Sequence, residues 1–316
     1  MWSALLVGVV TVLGVSVAAA QSSEMVSLYA DAQPYKDDPI ATMKLKVPQL
    51  DGLKADASQA ELPTILNKAG AVIVAQMPRV PNLIAQEEVA QEAVTTTRIS
   101  SSGARGTSAW SGVAGMGGSS TDALVPQTWR RFEYLILAKH LGDGGTVFDE
   151  SRKDLDKKDR EPAPRGIGFG SLWLMFIPAN QAESKFRYLG TQSVEKHPTY
   201  VVAFAQDPKL VKVPGVIETE SGETPLLYQG VAWIDQETYK IVRIRTDVLA
   251  PLPKIKLWQA TSTVSFSEVE IPKFDARLWL PKTVEITWDL GGNRLGELHK
   301  YSNYRLFAAT SRIVPN

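Results

Sequence analysis

Side chains that ionise, attack or ligate are sparse in this chain. His140, His197 and His299 are the only imidazoles among 316 residues, and cysteine is absent. No two histidines have the spacing of a local metal site. His140 precedes a Gly-Asp-Gly-Gly turn, His197 stands before Pro198, and His299 lies among charged residues. Each is therefore expected at the surface or in a turn. The absence of cysteine removes disulfides, thiol catalysis, thiolate metal sites and a lipid-modified N-terminal Cys. A Gly-x-Ser-x-Gly elbow is missing, since Gly170-Ser171 runs into Leu172-Trp173. Gly166, Gly168 and Gly170 complete neither phosphate-loop pattern. The acidic pairs Asp235/Glu237 and Glu268/Glu270 fall at turns or on strand faces, where a structural or solvated role is expected. The expectation is a non-catalytic protein with no cofactor and no metal.

Apolar chemistry is better supplied. Seven tryptophans follow residue 20, and Trp173, Trp233, Trp258, Trp279 and Trp288 fall in or beside core segments. Two readings stay open: the rings fill the core of a large sheet, or they line an apolar cavity. The candidate lining residues are Leu172, Trp173, Met175 and Phe176 from one apolar run, with Trp233, Ile286 and Trp288 from predicted strands.

Composition narrows the setting. Lys plus Arg (34) balances Asp plus Glu (34), so nothing marks a nucleic-acid binder. With 44% hydrophobic and 22% charged residues, a packed globular core is expected. Ala4 to Val17 is almost wholly apolar and leads into Ala18-Ala19-Ala20, which reads as a signal peptide over residues 1–20, cleaved before Gln21. The alternative is an uncleaved N-terminal membrane anchor. With cleavage the protein is expected in the periplasm or secreted; without it, held at the membrane by its N-terminus.

Residues 21–57 read as a mostly irregular arm, with at most a short helix. Leu62, Ile65, Leu66, Ala69, Val72, Ile73 and Met77 recur at helical spacing after Ser58 and Glu61, a possible capping box. Residues 82–94 are ambiguous between helix and strand. Ser, Thr and Gly fill 18 of 33 positions over residues 93–125, which predicts a flexible insertion. A second insertion is expected over 149–164, where 11 of the 13 residues from Asp149 to Glu161 are charged.

Strands dominate the rest. Phe132–Leu141, Phe186–Val194, Thr199–Phe204, Tyr228–Ile234, Tyr239–Leu249, Val264–Val269 and Leu280–Leu290 have strand length and are bounded by turn residues. Along Thr283–Leu290, Val284, Ile286, Trp288 and Leu290 share one face. Gly170–Ile177 is either a buried helix or a core strand.

The stretch Gln229–Asp247, QGVAWIDQETYKIVRIRTD, resembles the bacterial outer-membrane lipoprotein-sorting and carrier proteins of the Lol type, in its W-I-D triplet, Glu-Thr turn and Arg-terminated strand. Phe186–Gly190 with Thr199–Val202, Leu280–Val284 and Tyr301–Arg305 are similar to the same pattern, as is the helix start Glu61-Leu62-Pro63. The likeness spans about residues 170–308 and is greatest to exported members of uncharacterised role. It implies an α+β fold: a large, curved, antiparallel β-sheet forming an incomplete barrel, with helices packed on its concave face. It also favours a strand for residues 82–94 and puts a half-barrel domain at 58–316. Carriers of this family hold acyl chains between sheet and helices.

Together these give the expected function: an exported envelope protein binding an apolar ligand, a lipid or a lipoprotein acyl chain, without catalysis. Envelope lipoproteins or other envelope proteins are the candidate partners, and the oligomeric state is left open. The alternative is an envelope protein-interaction or regulatory module with a filled core. A third reading is an enzyme of unrecognised type, whose sign would be buried carboxylates around His299 or His140.

Overall fold

The computed structural model describes residues 18–97, 121–124, 128–140, 146–156, 174–219 and 222–307. Residues 1–17 of the expected signal segment lie outside them. Among the described residues, no helix is long and apolar enough to cross a membrane.

The segment expected as an irregular arm carries more structure than its prolines and scattered charges announce. It holds helices α1 (Ala18–Leu28) and α2 (Ile40–Lys46), 3-10 turns at Tyr35–Asp37 and Pro48–Leu50, and strand β1 (Lys54–Ala55). Single apolar residues, Met25, Tyr29, Met43, Val47 and Leu50, are each buried against the sheet. Their partners are distant in sequence, so local periodicity did not reveal them.

Helix α3 (Leu62–Gln76) follows as predicted, burying Ile65, Ala69 and Ile73 at a four-residue spacing. The capping box does not form: Glu61 is already helical and makes no side-chain cap. Ser58 Oγ instead accepts the Ala60 N–H at 3.3 Å.

The remaining strands are β2 (Leu83–Thr97), β3 (Thr121–Leu124), β4 (Thr128–His140), β5 (Thr146–Asp154), then after a 3-10 turn (Leu174–Phe176) and the short α4 (Pro178–Gln181), β6 (Ser184–Val194), β7 (His197–Gln206), β8 (Gly215–Thr219), β9 (Gly222–Leu226), β10 (Tyr228–Asp235), β11 (Ile241–Val248), β12 (Leu257–Glu270), β13 (Arg277–Leu290) and β14 (Asn293–Leu306). One curved antiparallel sheet takes the order β1-β6-β7-β10-β11-β12-β13-β14-β2-β4-β5, with β3 beside β2 and β8–β9 as a separate hairpin. The path does not close, which makes the α+β incomplete barrel expected from the resemblance. The meander β10 to β13 was legible; β14 and the return of β2, β4 and β5 to its free side were not.

Turn chemistry sets the register. Glu195 and Lys196 have φ of 48° and 73°, and Gly291 and Gly292 have 64° and 82°, so both hairpins turn in two residues of left-handed backbone. In the turn after the W-I-D triplet, Asp235 Oδ1 accepts the Glu237 and Thr238 N–H groups at 3.1 and 2.7 Å. His197 and Pro198 belong to β7 rather than to the preceding turn.

Two predicted insertions are shorter than expected. Residues 93–97 and 121–124 are strand, and the rest of 93–125 lies outside the described residues. Asp149–Asp154 is the charged half of β5, with alternate residues turned inward. Composition hid this strand because its inward side chains are themselves charged, while 157–164 lies outside the described residues.

Apolar side chains collect on both faces of the sheet. The inner, concave face packs against α1, α3 and the Leu174–Phe176 turn. The outer face of β6, β7, β10 and β11 is covered by Tyr35, Met43, Val47, Leu50 and Leu53 of the N-terminal segment.

Candidate functional site

The inner face is organised by rows of residues that stand opposite one another across neighbouring strands. One row runs Phe204, Gly230, Thr246, Ser262, Ile286, Glu297, Gln91, from β7 to β2. The row beside it runs Val202, Ala232, Ile244, Val264, Val284, His299, Val89, Arg130. Both begin apolar at β7 and reach ionisable side chains on β14, Glu297 in the first and His299 in the second. Gly230 is required where it stands: a Cβ there would meet the Arg245 carbonyl oxygen at 2.1 Å and the Phe204 ring at 2.5 Å.

At the apolar end, the Leu174–Phe176 turn carries two of the candidate lining residues. Phe176 is fully buried and packs on Phe186 and Phe204, with ring centroids 5.5 and 5.6 Å away, and Met175 joins the same cluster. The run expected as a helix or core strand is thus, in its described part, a 3-10 turn. Gln181 fastens it to α3, donating to the carbonyls of Leu66 at 3.0 Å and Phe176 at 2.8 Å. Leu172 and Trp173 lie outside the described residues.

Ile286 and Trp288 lie on the same inner face, on β13. Four strand spacings separate β13 from β7, roughly 19 Å at about 4.8 Å each. Trp233 does not join them. It is fully buried on the outer face with Leu50, Val201 and Val242, and its Nε1 donates to Gln192 Oε1 at 2.9 Å. Strand alternation decides this: Ala232 and Ile234 face inward, so Trp233 faces out. Of the other tryptophans, Trp258 is half exposed and Trp279 bonds the Ile241 carbonyl at 2.7 Å.

The ionisable end holds what sequence reasoning missed. His299, expected near the surface, is wholly buried between two buried carboxylates. Its Nδ1 is 2.8 Å from Glu87 Oε1 and its Nε2 is 3.1 Å from Glu297 Oε2. Arg152 forks onto Glu87, with Nε 2.6 Å from Oε2 and Nη2 3.1 Å from Oε1. Tyr301 donates to Glu87 at 2.9 Å and Gln91 to Glu297 at 2.8 Å. Tyr134 bonds Glu150 and lies beneath the Arg152 guanidinium, 4.6 Å from ring centroid to Cζ.

These contacts fix the charges. Burial alone would raise the Glu87 carboxyl, but the His299 hydrogen bond and the Arg152 charge hold it down at about 2. Burial would lower His299, yet its bonds to Glu297 and Glu87 raise it above its usual value. Burial pushes the Tyr301 and Tyr134 phenols well up, so both remain donors. Two carboxylates, one imidazolium and one guanidinium therefore form a neutral quartet. Among the described residues, no cluster of His, Asp and Glu could hold a metal ion. Here Glu87 and Glu297 take opposite nitrogens of one ring instead of converging. The other histidines are peripheral: His140 Nδ1 is 3.2 Å from Thr146 Oγ1 and His197 Nδ1 is 3.1 Å from Asp235 Oδ2.

One weak signal for His299 existed in the sequence. Leu295, Glu297, His299 and Tyr301 alternate with Arg294, Gly296, Leu298 and Lys300, but polar residues occupy both sets, so alternation could not name the buried one.

Between the apolar and ionisable ends, two buried polar atoms have no hydrogen-bond partner, Trp288 Nε1 and Ser262 Oγ. Trp288 stands opposite Ala260, and Ser262 opposite Ile286, which makes them diagonal neighbours on one face. Two open hollows lie elsewhere. One of about 370 Å³ is lined by Tyr35, Lys46, Asp247 and Trp258, the other of about 330 Å³ by Pro281, Tyr301 and Tyr304. Neither is lined by the residues expected to hold ligand.

Neither a protein-family model nor a curated protein matches the chain. Among solved structures, a Vibrio parahaemolyticus domain named for outer-membrane lipoprotein sorting is similar at 10% identity and a TM-score of 0.36, covering 78% of this chain and 93% of its own. A DUF1329 family protein from Desulfovibrio piger is similar at 13% identity and a TM-score of 0.35, covering 79% of this chain and 94% of its own.

Proposed function

We propose that this is an exported envelope protein that binds an apolar ligand, a lipid or the acyl chain of a lipoprotein, between the concave face of its sheet and the helices. The observation that carries the reading is the row structure of the inner face. The row Val202, Ala232, Ile244, Val264, Val284 is apolar throughout, is flanked by Phe204 at one end and by Ile286 and Trp288 at the other, and ends at the buried, charge-balanced cluster around His299. A trough opened along this row would offer an acyl chain dispersion contacts and water exclusion along its length and a polar terminus at one end. The apolar N-terminal run of the sequence supports export, and the lipoprotein-sorting resemblance supports the ligand class.

The quartet around His299 is the sign named above for an enzyme. Both ring nitrogens are engaged by carboxylates and the side chain is sealed, which favours a structural role over proton transfer to a substrate. The second reading, an interaction module with a filled core, draws on the direct packing of α3 and the Leu174–Phe176 turn over the apolar end. Replacing Trp288 by Ala separates the readings. A folded W288A protein that binds a fluorescent acyl probe at least about ten-fold more weakly than the parent supports the trough. Equal binding by a folded variant contradicts it.

A further inference from the structure

The unpartnered atoms Trp288 Nε1 and Ser262 Oγ name the ligand more closely. An indole N–H sealed from water without an acceptor is costly, and a second unpartnered polar atom beside it on the same face adds to that cost. Both side chains are almost fully buried, at 4% and 2% exposure. As diagonal neighbours across β12 and β13, their Cβ atoms are about 7–8 Å apart or less. An oxygen with two lone pairs placed between them can accept from both the indole N–H and the serine O–H.

We infer that the inner face takes an acyl group through its carbonyl oxygen, held by Trp288 Nε1 and Ser262 Oγ, with the hydrocarbon chain running toward Phe204. This rests on the reading that the trough holds an apolar chain, and it adds that a bare hydrocarbon is not the proper ligand. The position of the two donors supports the orientation. Ser262 lies on the cross-strand row between Phe204 and Glu297, and the row beside it is apolar from Val264 through Ile244 and Ala232 to Val202, so a carbonyl at Ser262 leaves its alkyl chain on those residues. Glu297 is bonded by His299 and Gln91, which keeps its charge directed into the protein. An ester and an amide present the same acceptor, so glycerolipids and N-acylated chains share the required chemistry.

The test is competition against a fluorescent acyl probe with lauroyl glycerol, an N-lauroyl amide and dodecane, using the full chain and its W288F and S262A variants. W288F keeps an aromatic ring but removes the donor together with part of the ring area; S262A removes only a hydroxyl and is the milder change should W288F fold poorly. Each variant is expected to lose about ten-fold in affinity for the two carbonyl compounds while dodecane shifts by less than about two-fold. A stronger parent response to lauroyl glycerol assigns the glycerolipid source, and to the amide the N-acyl source; either supports the inference. If the parent binds dodecane as tightly as the carbonyl compounds, or the variants lose nothing, the carbonyl site is wrong and the trough stands. If the parent binds none of the three, the trough itself is wrong.

Discussion

His299 Nδ1 lies 2.8 Å from Glu87 Oε1, although 212 positions separate the two residues in the chain. The contact joins β14 to β2 and is sealed from solvent, so it ties the N-terminal strands to the C-terminal meander through charge as well as backbone. Its partners Glu297 and Arg152 balance it, and the cost of burying four charges is offset only while all four are present.

Stability should therefore depend on pH from both sides. The Glu87 carboxyl, lowered from 4.5 to about 2, contributes stability that is full above its unfolded value and lost as pH falls through about 4.5 toward 2. The shift corresponds to roughly 3 kcal/mol. His299 is raised, so its contribution is full below its unfolded value of 6.5 and is lost as pH rises through its higher folded value. Chemical denaturation across pH should give a plateau between these limits, with the alkaline fall absent in His299→Leu. A parent profile that rises on the alkaline side contradicts the assignment.

Breaking the quartet at one member should be worse than titrating it. Glu87→Gln leaves Arg152 and a protonated His299 without their shared carboxylate, and about 3–5 kcal/mol of stability should be lost. Urea unfolding reads this directly. A loss under about 1 kcal/mol would mean that the cluster is solvated in solution.

Gly230→Ala should be among the most damaging small changes in the sheet. The added methyl meets backbone at 2.1 Å and the Phe204 ring at 2.5 Å, and the backbone contact cannot yield to a side-chain rotation. A cost of about 1–3 kcal/mol or more is expected, with poor expression. A variant as stable as the parent would place β10 and β11 in a different register.

Trp233 and Trp288, both buried, should separate by function. Trp233→Phe removes the bond to Gln192 on the outer face and should cost about 1–3 kcal/mol of stability without changing affinity for an acyl probe. Trp288→Ala should do the reverse in emphasis, weakening the probe most. Parallel melting and binding curves for the two variants decide it, and equal binding losses would contradict the two-face assignment.

The sequence carried the meander from β10 to β13 well because these strands pair with their chain neighbours and their turns announce themselves at Asp235 and Gly291-Gly292. Ile286 and Trp288 share one buried face, as the clean alternation along β13 led one to expect. Trp233 was misplaced because β10 is buried on both faces, which leaves no polar side to orient it. The quartet escaped altogether. Its members come from β2, β5 and β14, are charged, and become interior only when β2 docks on β14, a pairing no local pattern encodes. Residues 149–154 failed as a strand for the same reason.

The central claim is that the concave face holds an acyl-bearing ligand. Native mass spectrometry of the protein purified from cells without detergent, followed by organic extraction of any excess mass, tests it most directly. The account predicts a stoichiometric acyl compound, lost or reduced in Trp288→Ala. A clean apo mass that remains apo after incubation with phospholipids and acylated peptides would contradict it and favour an interaction module with a filled core.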